Sequence, residues 1–145
     1  MGRKLVFGAR DVEPFVPEAG QGAFWSRLLV DPDGVGAHSL VMNLFTLRPG
    51  KTTGPGGSHP APFDEVYYVL RGHGLLHLGD PAETTAVGPD SVAFIPGGTI
   101  HWIDNIGEED LDLLTVMPGP LREGVNSVYD GRRRAWGTGF KLVGE

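Results

Sequence analysis

The chain has no cysteine among its 145 residues, which excludes disulfides, zinc–thiolate sites and a cysteine nucleophile together. It also lacks a long apolar run at its start. MGRKLVFGARDVEPF fits neither a secretory signal nor a membrane span, so no membrane partner and a cytoplasmic location are the default expectations. Basic charge is scarce and scattered. The net charge is −6 with no basic face, which argues against nucleic acid as a partner. No helix-turn-helix segment and no fixed-period repeat are present. Nor does any window of about a dozen residues show a 3.6-residue apolar period.

What the chain has in quantity is glycine and proline, 23 and 12 residues. They are dispersed as punctuation between short apolar runs, which speaks for turns and against disorder. The hydrophobic fraction of 40% and charged fraction of 21% are those of a folded globular protein. Strand-like runs recur about every ten residues, as in a sandwich or barrel: 24–30, 38–47, 65–71, 74–78, 84–87, 91–95, 99–103 and 111–117. Segments such as DPDG (31–34), GPGG (54–57), RGHG (71–74) and PGG (96–98) separate them, with glycine supplying positive φ and proline pre-setting the bend. The expectation is one all-β domain over residues 1–145, closed into a barrel with little helix. Residues 118–145 are less regular, with one further strand expected near Phe140–Val143.

Side chains alternate faces along a strand. If the strand through SHPAPFDEVYYVLRG (58–72) is unbroken, His59, Ala61, Glu65, Tyr67 and Val69 share one face. Val66, Tyr68 and Leu70 take the other. His59 and Glu65, joined by His101 from a later strand, form a constellation of imidazole and carboxylate that suits a divalent metal. Tyr67 has two open readings. It is a catalytic or substrate-binding phenol, or a stand-in metal ligand, or it is a core aromatic whose hydroxyl finds a backbone partner.

The spacing resembles the cupin superfamily, a small single-domain cupin of the Cupin_2 kind. Its first motif runs Gly, five residues, His-x-His, three or four residues, Glu, six residues, Gly. His59-x-Ala61, three residues, Glu65, six residues, Gly72 matches the second half of it. The second motif, ending Pro-x-Gly, two residues, His, three residues, Asn, is matched by Pro96, Gly98, His101 and Asn105. Motif one occupies about residues 50–72 and motif two about 88–105. The resemblance implies a cupin-type jelly-roll barrel with an internal metal, held by two motif histidines, the Glu and one further His.

Ala61 stands where that family places its second histidine. The set His59, Glu65 and His101 remains, two imidazoles and a carboxylate, which suits Fe(II) first and Mn, Ni, Zn or Cu as alternatives. The expected function is therefore a metal-dependent cupin enzyme on a small organic substrate, first a non-haem iron dioxygenase-like oxidoreductase with Glu65 and Tyr67 catalytic. Isomerase, lyase or cyclase chemistry is the alternative, and a non-catalytic small-molecule-binding module or a structural dimer with a decayed site are the rivals.

His77 is not expected among the ligands. A hairpin of 65–71 with 74–78 that sets Arg71 opposite Gly74 turns it outward beside Tyr68. His38 and His73 read as exposed turn residues. Trp25 and Trp102 read as packing residues, and Arg132–Arg134 as a solvated basic run. The apolar outer face of Val66, Tyr68 and Leu70 requires cover by a terminal segment or a partner subunit, and a homodimer is predicted.

Overall fold

The computed structural model describes residues 4–17, 22–54, 61–119, 124, 126–137 and 141–143. Among these, eight strands form two antiparallel sheets: β1 (Phe24–Val30), β2 (Leu40–Leu47), β3 (Glu65–Arg71), β4 (Gly74–Leu78), β5 (Glu83–Val87), β6 (Val92–Ile95), β7 (His101–Asn105) and β8 (Leu111–Pro118). The larger sheet has the order β1-β2-β8-β3-β6 and the smaller β5-β4-β7. The one α-helix among the described residues is α1 (Ser127–Trp136).

The strands are short runs rich in Leu, Val and aromatic residues whose period-two pattern turns alternate residues inward. Two interior clusters result. One comprises Leu47, Val69, Leu76, Ile103, Leu111 and Leu113, drawn from both sheets. The other comprises Leu28, Val41, Met117 and Tyr129, where α1 closes the opposite end of the barrel. Outside the larger sheet, Val12 and Leu142 from the two terminal segments cover Leu29 and Leu44.

Two expectations are corrected here. Strands β3 and β4 do not form a hairpin: β3 pairs with β6 and β8, β4 with β5 and β7. Gly72, at φ 88°, lets the chain cross from one sheet to the other. A Cβ at Gly72 would lie 2.6 Å from the Asp110 carbonyl oxygen. Gly72→Ala is therefore expected to lower stability by more than the ~1–2 kcal/mol of a left-handed non-glycine backbone, read as a urea midpoint shift at unchanged slope.

The second correction is α1. Asn126 caps it, its Oδ1 accepting from the Tyr129 N–H at 3.0 Å, and Gly137 ends it at φ 71°. These start and stop signals were legible. The solvated arginine run is corrected at Arg132, which is buried against Asp31, while Arg133 and Arg134 are exposed as expected. Of the strand expected near Phe140–Val143, Leu142 makes a single bridge to Val12, and Phe140 lies outside the described residues.

Of the two covers expected for the outer face of β3, the described terminal segments reach only the β1–β2 half of the sheet, and the β3–β6 half is open among the described residues. Val66, Leu70, Val92 and Phe94 are 36%, 41%, 66% and 56% exposed. Val66 pairs with Phe94 and Tyr68 with Val92 across the ladder, so these side chains form one continuous patch.

Candidate functional site

Glu65 opens β3 and His101 opens β7, so each strand delivers one polar group to the barrel interior at its first residue. Both are buried. His101 Nδ1 lies 2.9 Å from the Thr99 carbonyl oxygen. A carbonyl only accepts, so Nδ1 carries the proton and Nε2 presents its lone pair. That lone pair faces Glu65 Oε2 at 4.0 Å, too far for a hydrogen bond. Burial pushes the Glu65 carboxyl above its ordinary range, while His101 pulls it back down.

With Glu65 ionised and His101 neutral, two buried acceptor atoms face one another with no donor between them among the described residues. A cation resolves that conflict. Nitrogen and oxygen ligands sit about 2.0–2.2 Å from a metal such as zinc, so a pair about 4 Å apart can share one ion. A backbone anchor on Nδ1 of this kind is able to orient the other ring nitrogen toward a metal.

Tyr67 follows Glu65 on the same face, and its ring meets His101 edge-on at a centroid distance of 5.8 Å. Burial, and secondarily the Glu65 carboxylate, raise its hydroxyl well above the ordinary phenol range. It is a neutral donor in this setting. The hydroxyl has no hydrogen-bond partner among the described residues, so the backbone contact expected of a purely structural tyrosine is not found.

His59 lies outside the described residues. Ala61 precedes β3, with its carbonyl accepting from the Gly98 N–H at 2.7 Å. The unbroken strand expected from 59 onward is thus corrected: alternation begins at Glu65. Among the described residues no group of three His, Asp or Glu converges. His77 lies outside the barrel, though by different pairing from that expected. It stacks on Trp102 at 4.5 Å and contacts Thr84 and Asp104 at 2.8 and 2.7 Å. His38 and His73 are exposed.

The family model described as Cupin domain matches residues 43–117, more than half of the chain. The chain belongs to the cupin family. Among relatives, the Oxalate-binding protein of Thermotoga maritima is 35% identical over 98 residues, 68% of this chain and 78% of the relative. The polyketide cyclase RemF of Streptomyces resistomycificus shares 25% identity at TM-score 0.68, over 93% of this chain and 95% of that one. A predicted oxalate decarboxylase from Thermotoga maritima shares the fold at TM-score 0.66 and 22% identity, over 79% of this chain and 98% of that one.

In this cupin the non-ligand motif residues hold the frame. Asn105 donates Nδ2 to the Leu47 and Glu109 carbonyls at 2.9 and 2.8 Å and accepts the Gly107 N–H at 2.9 Å. The Pro96–Gly98 turn donates to Ala61 and, through the Gly97 N–H, to Asp64 Oδ1 at 2.9 Å. It thereby fastens the entry to β3 beside the start of β7.

Sequence reasoning missed three interior residues: Ser26, Asn43 and Thr115. Ser26 lies between inward Phe24 and Leu28, Asn43 between Val41 and Phe45, and Thr115 between Leu113 and Met117. The signal was available as a polar residue at inward parity in each of three strands. It was overlooked because none of the three is a metal-ligand type.

Proposed function

We propose that this cupin is a metal-dependent enzyme acting on a small organic molecule inside the barrel, with proton transfer as its central chemistry. The facing of Glu65 Oε2 and His101 Nε2 at 4.0 Å, both buried, carries this reading. These two, with His59 from the first motif, would hold the ion. When bound, a divalent metal polarises a substrate oxygen as a Lewis acid.

The chain's own groups do the rest. Thr99 fixes the His101 tautomer. Tyr67, kept protonated, donates a hydrogen bond from its hydroxyl to an oxygen that gains charge. The apolar clusters above and below exclude bulk water, which strengthens each polar contact. The likeness to a polyketide cyclase over nearly the whole of both chains supports a cyclase or isomerase ahead of the dioxygenase expected from ligand count. A second reading as an Fe(II) dioxygenase is favoured by Ala61, whose methyl leaves a ligand position open.

Protein purified without chelator or metal-affinity steps is expected to contain a stoichiometric divalent metal by elemental analysis. No uptake, even after reconstitution with Fe(II), Mn(II), Ni(II) and Zn(II), would move the assignment to a metal-free binding module. Metal-loaded protein that exchanges carbon-bound protons of a ketone into heavy water without oxygen supports proton transfer; oxygen uptake in its place supports the second reading.

The open β3–β6 face supports a homodimer, since a continuous exposed apolar patch marks an association surface. Light scattering at micromolar concentration should give twice the chain mass, and Phe94→Glu should return it to the monomer. A monomeric wild type overturns this.

A further inference from the structure

The two interior clusters are separated by a polar layer, and its composition bears on what the barrel can hold. On the side of the larger sheet it consists of Ser26, Asn43, Thr115 and Tyr67. Asn43 pairs with Thr115 and Thr115 with Tyr67 across adjacent strands, which brings neighbouring Cβ atoms to about 4.5–5.5 Å. Glu65 and His101 complete the layer.

The hydrogen bonding of this wall is incomplete in one direction. Ser26 Oγ donates to Asn43 Oδ1 at 2.5 Å, which leaves the Asn43 amide N–H groups without a partner among the described residues. Thr115 is only 7% exposed, yet its Oγ1 has no hydrogen-bond partner. The hydroxyl of half-buried Tyr67 also has no hydrogen-bond partner among the described residues. Buried hydroxyl groups are nearly always paired, so the sealed Thr115 hydroxyl, flanked by two further donors that lack a partner among the described residues, points to an acceptor supplied from outside.

Charge narrows that acceptor. No strand of the barrel places a Lys or Arg on its inner face. Arg27 donates outward to the Val12 carbonyl, and Arg71 pairs with Asp110 and Asp112. A small dianion buried against Glu65 would meet neutral donors and one carboxylate, with no side-chain cation on this wall to offset its desolvation.

We infer that Asn43, Thr115 and Tyr67 form the recognition wall for an uncharged ligand bearing a carbonyl or phenolic oxygen, with Thr115 at its centre. Small dicarboxylates such as oxalate are disfavoured. This deepens the reading above and rests on it in one respect: the ligand's reacting end faces Glu65 and His101.

The test titrates 2-hydroxyacetophenone, a neutral ketone and phenol, against oxalate by ligand-observed NMR, on protein as purified and after metal removal. Wild type is expected to bind the ketone at least about tenfold more tightly than oxalate in the metal-free state, where only the wall discriminates. Thr115→Val should weaken the ketone about tenfold without lowering the melting temperature, and Thr115→Ser should restore binding. Tighter binding of oxalate to metal-free protein, no binding of the ketone, or an unchanged ketone affinity in Thr115→Val overturns the proposal. The wild-type comparison decides the matter should the variant fail to fold. Elemental analysis reports on the metal centre alone and metal-free titration on the wall alone, so either reading can fail while the other stands.

Discussion

His101→Ala is expected to fold and to lose the divalent metal. Among the described residues, its imidazole is the ligand candidate whose tautomer and direction are both fixed, through the 2.9 Å contact to the Thr99 carbonyl. Removing outer-shell partners of metal ligands costs about 10–100-fold in affinity, so loss of the ligand itself should exceed about 100-fold. Activity should fall to background with it. Glu65→Gln should abolish uptake as well, for a different reason: the amide keeps the shape of the side chain and removes its charge. Because burial disfavours the ionised Glu65 carboxyl, the metal-free Gln variant should melt no lower than metal-free wild type. Added metal should then separate the two. At a hundredfold excess over its dissociation constant, a ligand that binds only the folded state stabilises it by about 2.7 kcal/mol. That rise should appear in wild type and in neither variant. A His101→Ala protein that retains stoichiometric metal would remove His101 from the centre.

The strands and the two motif residues in the interior were legible because both follow local rules. Period-two alternation set the inward face of β3, and it put Glu65, Tyr67 and Val69 there, where the structure has them. The sheet partners of β3 were not legible in the same way. Two consecutive strands joined by RGHG look like a hairpin, since nothing in the spacing separates a tight turn from a crossover between sheets. What does so is Gly72 pressed against Asp110, a contact between residues far apart in sequence. The polar layer escaped for a related reason. Ser26, Asn43 and Thr115 are unremarkable singly, and only the ladder registers bring them to one level. The helix was missed because its apolar anchoring is sparse. Tyr129 is its buried apolar anchor, Val128 and Trp136 add only partly buried contacts, and its attachment through the Arg132 and Arg133 ion pairs is a cue that hydrophobic periodicity does not register.

That attachment carries the second large effect: Arg132→Met is expected to cost about 3–5 kcal/mol of folding stability. Arg132 is 2% exposed and Asp31 is fully buried. Asp31 already organises the turn after β1, with its Oδ1 accepting the Gly34 N–H at 2.6 Å and its carbonyl accepting from Val35 and Ala37. Its Oδ2 is left for Arg132. Asp33 adds a second carboxylate, 3.9 Å from Arg132 and 3.2 Å from the Nε of Arg133. Met fills the volume of the arginine stem, so the loss does not come from a cavity. It comes from Asp31, stranded without its counter-charge between α1 and the end of β1. Removing the carboxylate too should undo part of the damage, because a neutral buried pair strands no charge. Asp31→Asn combined with Arg132→Met is therefore expected to be more stable than Arg132→Met alone. Arg134, exposed at the end of the same helix, is the control, and its replacement by Ala should stay within about 0.5 kcal/mol. Urea unfolding of the four proteins provides the measurement. An Arg132→Met midpoint equal to that of wild type would mean that the apolar contacts of Val128, Tyr129 and Trp136 hold α1 on the barrel without the ion pair.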